Sequence, residues 1–150
     1  HRYDALIQAA ASRYGVDPGL IAAVIWRESG FRANRVGRAG EIGLMQVREP
    51  AARDWAQASS LPDFRATDLT DPGTNILAGT WYLARALRRW SARDCPAAFA
   101  LAEYNAGPTH ARRWAAAPGA DSAAGFEAAI TFPSTRRYVR DVLKRVRETR

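Results

Sequence analysis

The chain has 150 residues, 47% of them hydrophobic, and a formal net charge of +7. This length suits one folded domain with a core, and we expect a single domain over residues 1–150. No apolar run approaches the roughly 20 residues of a membrane-spanning helix. A single cysteine excludes an internal disulfide. With only two histidines in addition, the chain has few residues that could form a metal site. The basic charge suits an anionic partner, which could be nucleic acid, lipid or cell wall.

The chain is predicted to be mainly α-helical, with about seven helices marked by apolar residues at helical spacing. An aspartate followed by a proline marks two helix starts, Asp17-Pro18 and Asp71-Pro72. Loops are expected over 32–43, 59–70 and 118–125, with a short β-hairpin as an option near residues 37–47. The predicted helices cover residues 3–14, 18–29, 50–58, 72–90, 96–105, 112–116 and 133–146.

Glu28 is the first candidate for chemistry. It ends a helical face whose earlier members, Ile21, Val24 and Ile25, are apolar. Desolvating an ionised carboxylate is costly, so a glutamate held there should have a pKa above its usual value of about 4.3. A proton retained near neutral pH suits a general acid. The alternative is that Glu28 reaches solvent or pairs with an arginine such as Arg27.

A second apolar helical face, which begins at Ala98, also ends on a polar residue, Asn105. Tyr104 adjoins Asn105, and the stretch Gly43-Leu44-Met45-Gln46 adds a flexible apolar side chain and an amide. Proteins bind sugars through aromatic faces and amide groups, and a protonated glutamate suits cleavage of a glycosidic bond. These residue types therefore predict a carbohydrate-cleaving site.

Five blocks extend this pattern over roughly residues 3–145. They are Glu28-Ser29-Gly30-Phe31, Gly40-x-x-Gly43-Leu44-Met45-Gln46, Asn75-Ile76-x-x-Gly79-Thr80-x-Tyr82-Leu83, Tyr104-Asn105-Ala106-Gly107-Pro108 and Thr135-Arg136-Arg137-Tyr138-Val139. In type and order they resemble the soluble lytic transglycosylases of bacterial cell walls. The resemblance implies a mainly α, lysozyme-like fold related to that of goose-type lysozymes.

The resemblance also implies an activity, the non-hydrolytic cleavage of the β-1,4 bond between N-acetylmuramic acid and N-acetylglucosamine. Glu28 matches the catalytic acid and would protonate the glycosidic oxygen, while the sugar's 2-acetamido group stabilises the cationic centre. Ionised Glu28 would then take the proton of the C6 hydroxyl, giving a 1,6-anhydromuramoyl end. No metal or cofactor is implied.

The same match implies a set of substrate-binding residues. Ser29 and Gln46 would line the cleft, and Tyr104 would help to fix Glu28. Asn105 would tether the backbone, and Met45 is equally compatible with core packing. The full set is Ser29, Met45, Gln46, Arg48, Glu103, Tyr104, Asn105 and Tyr138.

Three positions depart from the family pattern. Gly37 and Ser134 stand where a serine and a glutamate, respectively, are common, and Arg48 stands where an apolar residue is. Arg48 could meet a carboxylate of the substrate or remain solvated. Glu41 and Glu103 are the candidates for a second carboxylate, which with a water opposite Glu28 would permit ordinary hydrolysis.

The expected partner is peptidoglycan, with the chain acting as a monomer in the periplasm or cell envelope; a signal sequence or further domains are expected to be missing from this chain. A muramidase and a non-catalytic peptidoglycan-binding module of a secretion, conjugation or phage system are the alternatives. Nucleic-acid binding, which rests on charge alone, is not expected. The last helix carries a basic face that either binds a polyanion or is simply solvated; its members are Arg137, Arg140, Lys144 and Arg147.

Overall fold

Eight α-helices make up most of residues 2–150, the part of the chain that the computed structural model describes. This confirms the predicted mainly α fold. In chain order the helices are α1 (Asp4–Tyr14), α2 (Pro18–Ser29), α3 (Glu49–Ala58), α4 (Pro72–Arg89), α5 (Pro96–Ala106), α6 (Pro108–Ala115), α7 (Ala123–Ala129) and α8 (Pro133–Glu148). None of the described helices is both long and apolar enough to cross a bilayer.

Side-chain capping explains where two of the helices begin. Asp17 Oδ1 accepts a hydrogen bond of 2.9 Å from the Gly19 N–H at the start of α2. Asp71 Oδ2 accepts one of the same length from the Thr74 N–H at the start of α4. Each bond satisfies an N–H that the first helical turn leaves without a partner. The two predicted Asp-Pro helix starts are therefore confirmed.

The predicted helix count was one short because α7 lies where a loop was expected to end. Ser122 caps α7 by accepting a 3.0 Å hydrogen bond from the Gly125 N–H, and Phe126 is its buried anchor. A seven-residue helix of small side chains has too little periodicity to be read from sequence. Its stability comes from packing against α5, α6 and α8. Helix α6 also begins earlier than predicted, at Pro108.

The optional hairpin near residues 37–47 is reduced to isolated bridges in the described chain. Ile42 pairs with Val36 on one side and with Val47 on the other. Its N–H and carbonyl each form a 3.0 Å hydrogen bond with Val47. The segment is therefore an ordered loop. Residues 59–70 also contain one regular turn, a 3-10 helix at Ala66–Thr70.

The chain divides into two compact units, a first that ends at Tyr82 and a second at Leu83–Arg150. In the first unit α1 packs on α2, and α3 packs against the 3-10 helix. Trp55 is buried there, and its Nε1 donates a 3.0 Å hydrogen bond to the Tyr14 hydroxyl. The expectation of one domain over residues 1–150 stays a prediction.

The second unit is built around α5. This helix is apolar on all sides, as a helix surrounded by others should be, and each residue from Ala98 to Glu103 is buried. It packs against α6, α7 and α8. The Phe99 ring stacks on Trp90 and on Phe126, with ring centroids 5.4 and 4.0 Å away.

Candidate active site

Glu28 lies one residue before the end of α2. The apolar members of its helical face, Ile21, Val24 and Ile25, are fully buried, whereas the Glu28 side chain is partly exposed. The α2 face therefore runs from the core of the first unit to its surface and presents a carboxyl group there. The raised pKa expected for Glu28 stays a prediction.

Ser29 fixes the end of this helix. Its side chain is fully buried, with Oγ 2.7 Å from the Leu44 carbonyl oxygen and 3.1 Å from that of Ile25. A hydroxyl has one hydrogen, so the donated bond goes to the nearer carbonyl, that of Leu44. The predicted contact between Ser29 and substrate is not supported, because no surface of Ser29 is exposed. The residue instead ties the Glu28 turn to the loop at residues 43–47.

Asn75, in the first turns of α4, holds the other side of that loop. Its Oδ1 accepts a 2.8 Å hydrogen bond from the Met45 N–H. Its Nδ2 donates to the carbonyls of Ile42, at 2.8 Å, and Leu69, at 2.9 Å. The buried amide thus uses both of its N–H groups and satisfies three backbone groups that would otherwise be costly to bury.

Gln46 closes the loop. Its Nε2 donates to the carbonyls of Arg35, at 3.1 Å, and Gly43, at 3.0 Å. Since both N–H groups are used inside the protein, only Oε1 is left to accept a hydrogen bond from a ligand. Gln46 is 9% exposed, so its main role is structural.

Met45 is core filler. It is fully buried, its Sδ lies 3.7 Å from the Thr80 hydroxyl, and a Cβ at position 79 would lie 2.6 Å from the same sulfur. Gly79 therefore lets Met45 pack directly on α4. Of the two interpretations of Met45, core packing is the one that the burial supports.

Three non-glycine residues of the described chain have positive φ angles, and two of them flank this site. Phe31 follows the end of α2 with φ 65°, and Gln46 has φ 49°. Such conformations are unfavourable for residues with a side chain, and they concentrate where function requires a particular backbone path. The strain supports a functional assignment for this part of the first unit.

The Glu41 carboxylate fills a space beside Gly37. A Cβ at position 37 would lie 2.7 Å from Glu41 Oε2 and 2.9 Å from Gln46 Oε1. Glu41 Oε1 is buried and accepts no hydrogen bond from any residue between 2 and 150. Glycine at position 37, where the family commonly has serine, leaves space for the Glu41 carboxylate. A second carboxylate therefore lies next to Gln46.

Arg48 follows the loop and is exposed just before α3. No ion pair or hydrogen bond joins its side chain to another residue of the described range 2–150. Arg48 is therefore available to an anionic group, and its contact with substrate stays a prediction.

Glu103 lies in the second unit, where Arg89 and Trp90 are its partners. It is 2% exposed, and its Oε1 accepts hydrogen bonds from Arg89 Nε at 2.9 Å and from Trp90 Nε1 at 3.0 Å. A carboxylate buried with a cation and a donor is a structural ion pair. These contacts give Glu103 a structural role within the second unit, and its predicted part in substrate binding or as a second carboxylate stays a prediction.

Three further predicted residues lie in the same unit. Asn105 is exposed at the end of α5, and its Oδ1 accepts a 2.7 Å hydrogen bond from the Thr135 hydroxyl of α8. The predicted tether thus runs to a side chain instead of the backbone. Tyr104 is half-buried and Tyr138 is 1% exposed, and the predicted contact of each with substrate stays a prediction.

The role of Asn75 was not predicted from the sequence, although the residue begins one of the five blocks. The signal was available: a polar residue directly before the apolar face that starts at Ile76. Which carbonyls it would meet could not be read from spacing, because Ile42 and Leu69 are 33 and 6 residues away.

The chain is similar to known proteins in both sequence and fold. The family model described as the transglycosylase SLT domain matches residues 5–126, which is more than half of the chain. A soluble lytic murein transglycosylase of Salmonella typhimurium is 35% identical over 123 residues, covering 81% of this chain and 19% of that protein.

Two solved structures share the fold. The 70 kDa soluble lytic transglycosylase of Escherichia coli superimposes with a TM-score of 0.87 and 30% identity over 96% of this chain and 23% of the other. An inactive mutant of a Pseudomonas aeruginosa lytic transglycosylase, with glutamine in place of a glutamate, gives a TM-score of 0.86 at 27% identity, covering 97% and 23%. The chain thus spans about a fifth of the length of the relatives it matches. Matched in sequence over most of its length and in fold over nearly all of it, the chain belongs to the transglycosylase SLT domain family.

Proposed function

We propose that this chain is a catalytic domain that cleaves peptidoglycan without water. The bond is the β-1,4 linkage between N-acetylmuramic acid and N-acetylglucosamine, and the product carries a 1,6-anhydromuramoyl end. The observation that carries the proposal is Glu28, a partly exposed acid at the end of an otherwise buried helical face. Family membership supports the same assignment.

In this mechanism Glu28 acts twice. It first gives its proton to the glycosidic oxygen as the bond to C1 breaks, and the substrate's 2-acetamido group stabilises the positive charge at C1. The ionised Glu28 then removes the proton from the C6 hydroxyl, whose oxygen bonds to C1 and closes the anhydro ring. The acid is regenerated, and no water is consumed.

The surroundings of Glu28 support such a role because hydrogen bonds connect them to one another. The bond from Ser29 to the Leu44 carbonyl fixes the helix end to the loop, and Asn75 fixes the loop to α4. A general acid needs a defined position relative to the oxygen it protonates. The P. aeruginosa relative, inactive with glutamine in place of one glutamate, supports dependence on a single acid.

The domain would act in the bacterial cell envelope, with peptidoglycan glycan strands as its substrate. The relatives are named murein transglycosylases, soluble or membrane-bound, which supports a wall substrate. We expect the domain to act as a monomer in the periplasm.

A muramidase is the second candidate because of Glu41. Its carboxylate lies beside Gln46, with Oε1 buried and without a hydrogen-bond donor in residues 2–150. A second carboxylate that holds a water would allow ordinary hydrolysis at C1. The products then carry reducing ends instead of anhydro ends.

Digestion of purified sacculi tests both candidates in one experiment. Mass analysis of the released muropeptides should show products that lack one water relative to hydrolysed ends. The Glu28→Gln variant should lose turnover by about 10³-fold or more, because the amide keeps the shape of the side chain but has no acidic proton to give. The Glu41→Gln variant should leave the anhydro fraction unchanged.

The contradictory outcomes are distinct. Products with reducing ends only, formed in smaller amounts by the Glu41→Gln variant, would establish the muramidase. Turnover that survives Glu28→Gln would remove Glu28 from its role. Binding of the wild-type chain to sacculi without any soluble product would identify a non-catalytic binding module.

A further inference from the structure

The net positive charge of the chain lies entirely in its second unit. The first unit carries nine basic and nine acidic side chains, whereas the second carries thirteen basic and six acidic ones. The full net charge of +7 therefore falls on residues 83–150. Glu28 and its loop belong to a unit with no net charge.

Helix α8 concentrates part of this charge in one row. Four cationic residues follow at spacings of three, four and three, so they share one face over about 15 Å of helix. The opposite face is buried and apolar. The basic row consists of Arg137, Arg140, Lys144 and Arg147, and the buried face of Tyr138, Val139, Val142 and Val146.

Most of this row forms no ion pair with the described residues. Arg137, Lys144 and Arg147 are exposed, and none of them forms an ion pair with any residue between 2 and 150. Arg140 forms a long ion pair with Glu127, with Nε 3.7 Å from Oε1. Arg136, by contrast, turns inward and donates to the Ile130 carbonyl at 2.6 Å.

We propose that the α8 row binds the carboxylates of the peptide stems of peptidoglycan and so holds the enzyme on the wall. The inference rests on the proposed function, which supplies the polyanion. Unpaired like charges in a row repel each other and are relieved by an extended anion. Guanidinium groups match carboxylates in charge and geometry. Each contact is weak because it is exposed, but several contacts on one polymer add up.

The test removes charge from the row and measures binding to sacculi free of teichoic acid. A Glu28→Gln background keeps the wall intact if the proposed chemistry holds. The row variant is Arg137→Gln/Lys144→Gln/Arg147→Gln. Its control, Arg13→Gln/Arg38→Gln/Arg65→Gln, removes the same three charges from exposed positions of the first unit.

The row variant should bind about tenfold or more weakly at low salt, and its affinity should depend less on salt than that of the parent. The control should change less than about threefold. All substituted side chains are exposed, so thermal unfolding should stay unchanged and report that the fold is intact. Equal losses in the two variants would mean that only net charge matters, which overturns the proposal.

Chemical amidation of the sacculi tests which group is bound. Blocking the stem carboxylates should reduce binding of the parent to the level of the row variant. Undiminished binding to amidated sacculi would overturn the assignment. A row variant that loses affinity for duplex DNA or for anionic vesicles, while it still binds sacculi normally, would reassign the face to that polyanion.

Cleavage of glycan strands without peptide stems separates this inference from the proposed function. With Glu28 restored, the row variant should cleave stem-free strands at the parent rate and intact sacculi more slowly. If the parent cleaves neither substrate, the proposed activity fails, but the binding comparison still decides the role of the row. A row variant equally slow on both substrates would contradict a role in stem binding.

Discussion

Gly43 is the residue on which the loop beside Glu28 most depends. Its φ of 79° lies in the region that favours glycine, and an added Cβ would collide with Asn75 Nδ2 and lie 3.0 Å from the Leu69 carbonyl oxygen. Neither neighbour can yield, because the two are hydrogen-bonded to each other. The position therefore requires glycine for two independent reasons.

Gly43→Ala should accordingly destabilise the protein by about 3 kcal/mol or more, which combines backbone strain with loss of the Asn75 contacts. The matched control is Gly40→Ala. Gly40 has a similar φ of 85° but no atom within 4 Å of an added Cβ, so only the strain of about 1–2 kcal/mol should appear. Urea unfolding of the two variants measures the difference. Equal losses would contradict the steric part of the explanation.

Two glutamates next to apolar helical faces differ in burial, and the sequence does not distinguish them. Glu28 emerges at the surface, whereas Glu103 is buried against Arg89 and Trp90. Both were predicted to be site carboxylates, but the observed contacts of Glu103 are those of a structural ion pair. The difference depends on partners from other turns and helices, which spacing within one helix cannot reveal.

At the scale of elements, α2, α4 and the loop between residues 42 and 47 form one hydrogen-bonded assembly. Ser29 connects α2 to the loop, and Asn75 connects α4 to it. Since the carboxyl group of Glu28 adjoins Ser29 in the chain, the precision of its position depends on these bonds. The assembly makes Asn75 a positioning residue.

Asn75→Asp tests this assembly with almost no change in volume. The new carboxylate keeps the acceptor for the Met45 N–H but replaces the donor to two carbonyls with a second acceptor. We expect a loss of about 2–4 kcal/mol and, under the proposed function, a fall in kcat larger than any change in KM. The control, Asn34→Asp, makes the same chemical change at an exposed position and should cost less than about 0.5 kcal/mol. Full stability in Asn75→Asp would contradict the role of Asn75 in this assembly.

At the scale of the whole molecule, the charge distribution predicts that two variants with the same net charge will elute differently in cation-exchange chromatography. Arg137→Glu/Arg147→Glu and Arg38→Glu/Arg65→Glu each change the net charge from +7 to +3. The first pair lowers the charge where the excess lies and should elute from a cation-exchange resin at clearly lower salt. Co-elution of the two variants would contradict a binding face confined to the second unit.

The sequence alone determined the helical class, the Asp-Pro helix starts, the family and the candidacy of Glu28. These depend on local chemistry: capping, periodicity and motifs of adjacent residues, all of which are contained in short stretches of chain. The basic row of α8 was equally visible, because one helix face is defined by spacing alone.

Only the tertiary structure decided what the polar side chains contact. It assigned Ser29, Asn75 and Gln46 to backbone carbonyls, Glu103 to Arg89, and Asn105 to Thr135. It also revealed α7, whose seven residues are stabilised by packing, and the carboxylate of Glu41 in the space beside Gly37. The physical reason is common to all of them: a buried polar group or a short helix is stabilised by partners distant in sequence, and spacing along the chain carries no record of those partners.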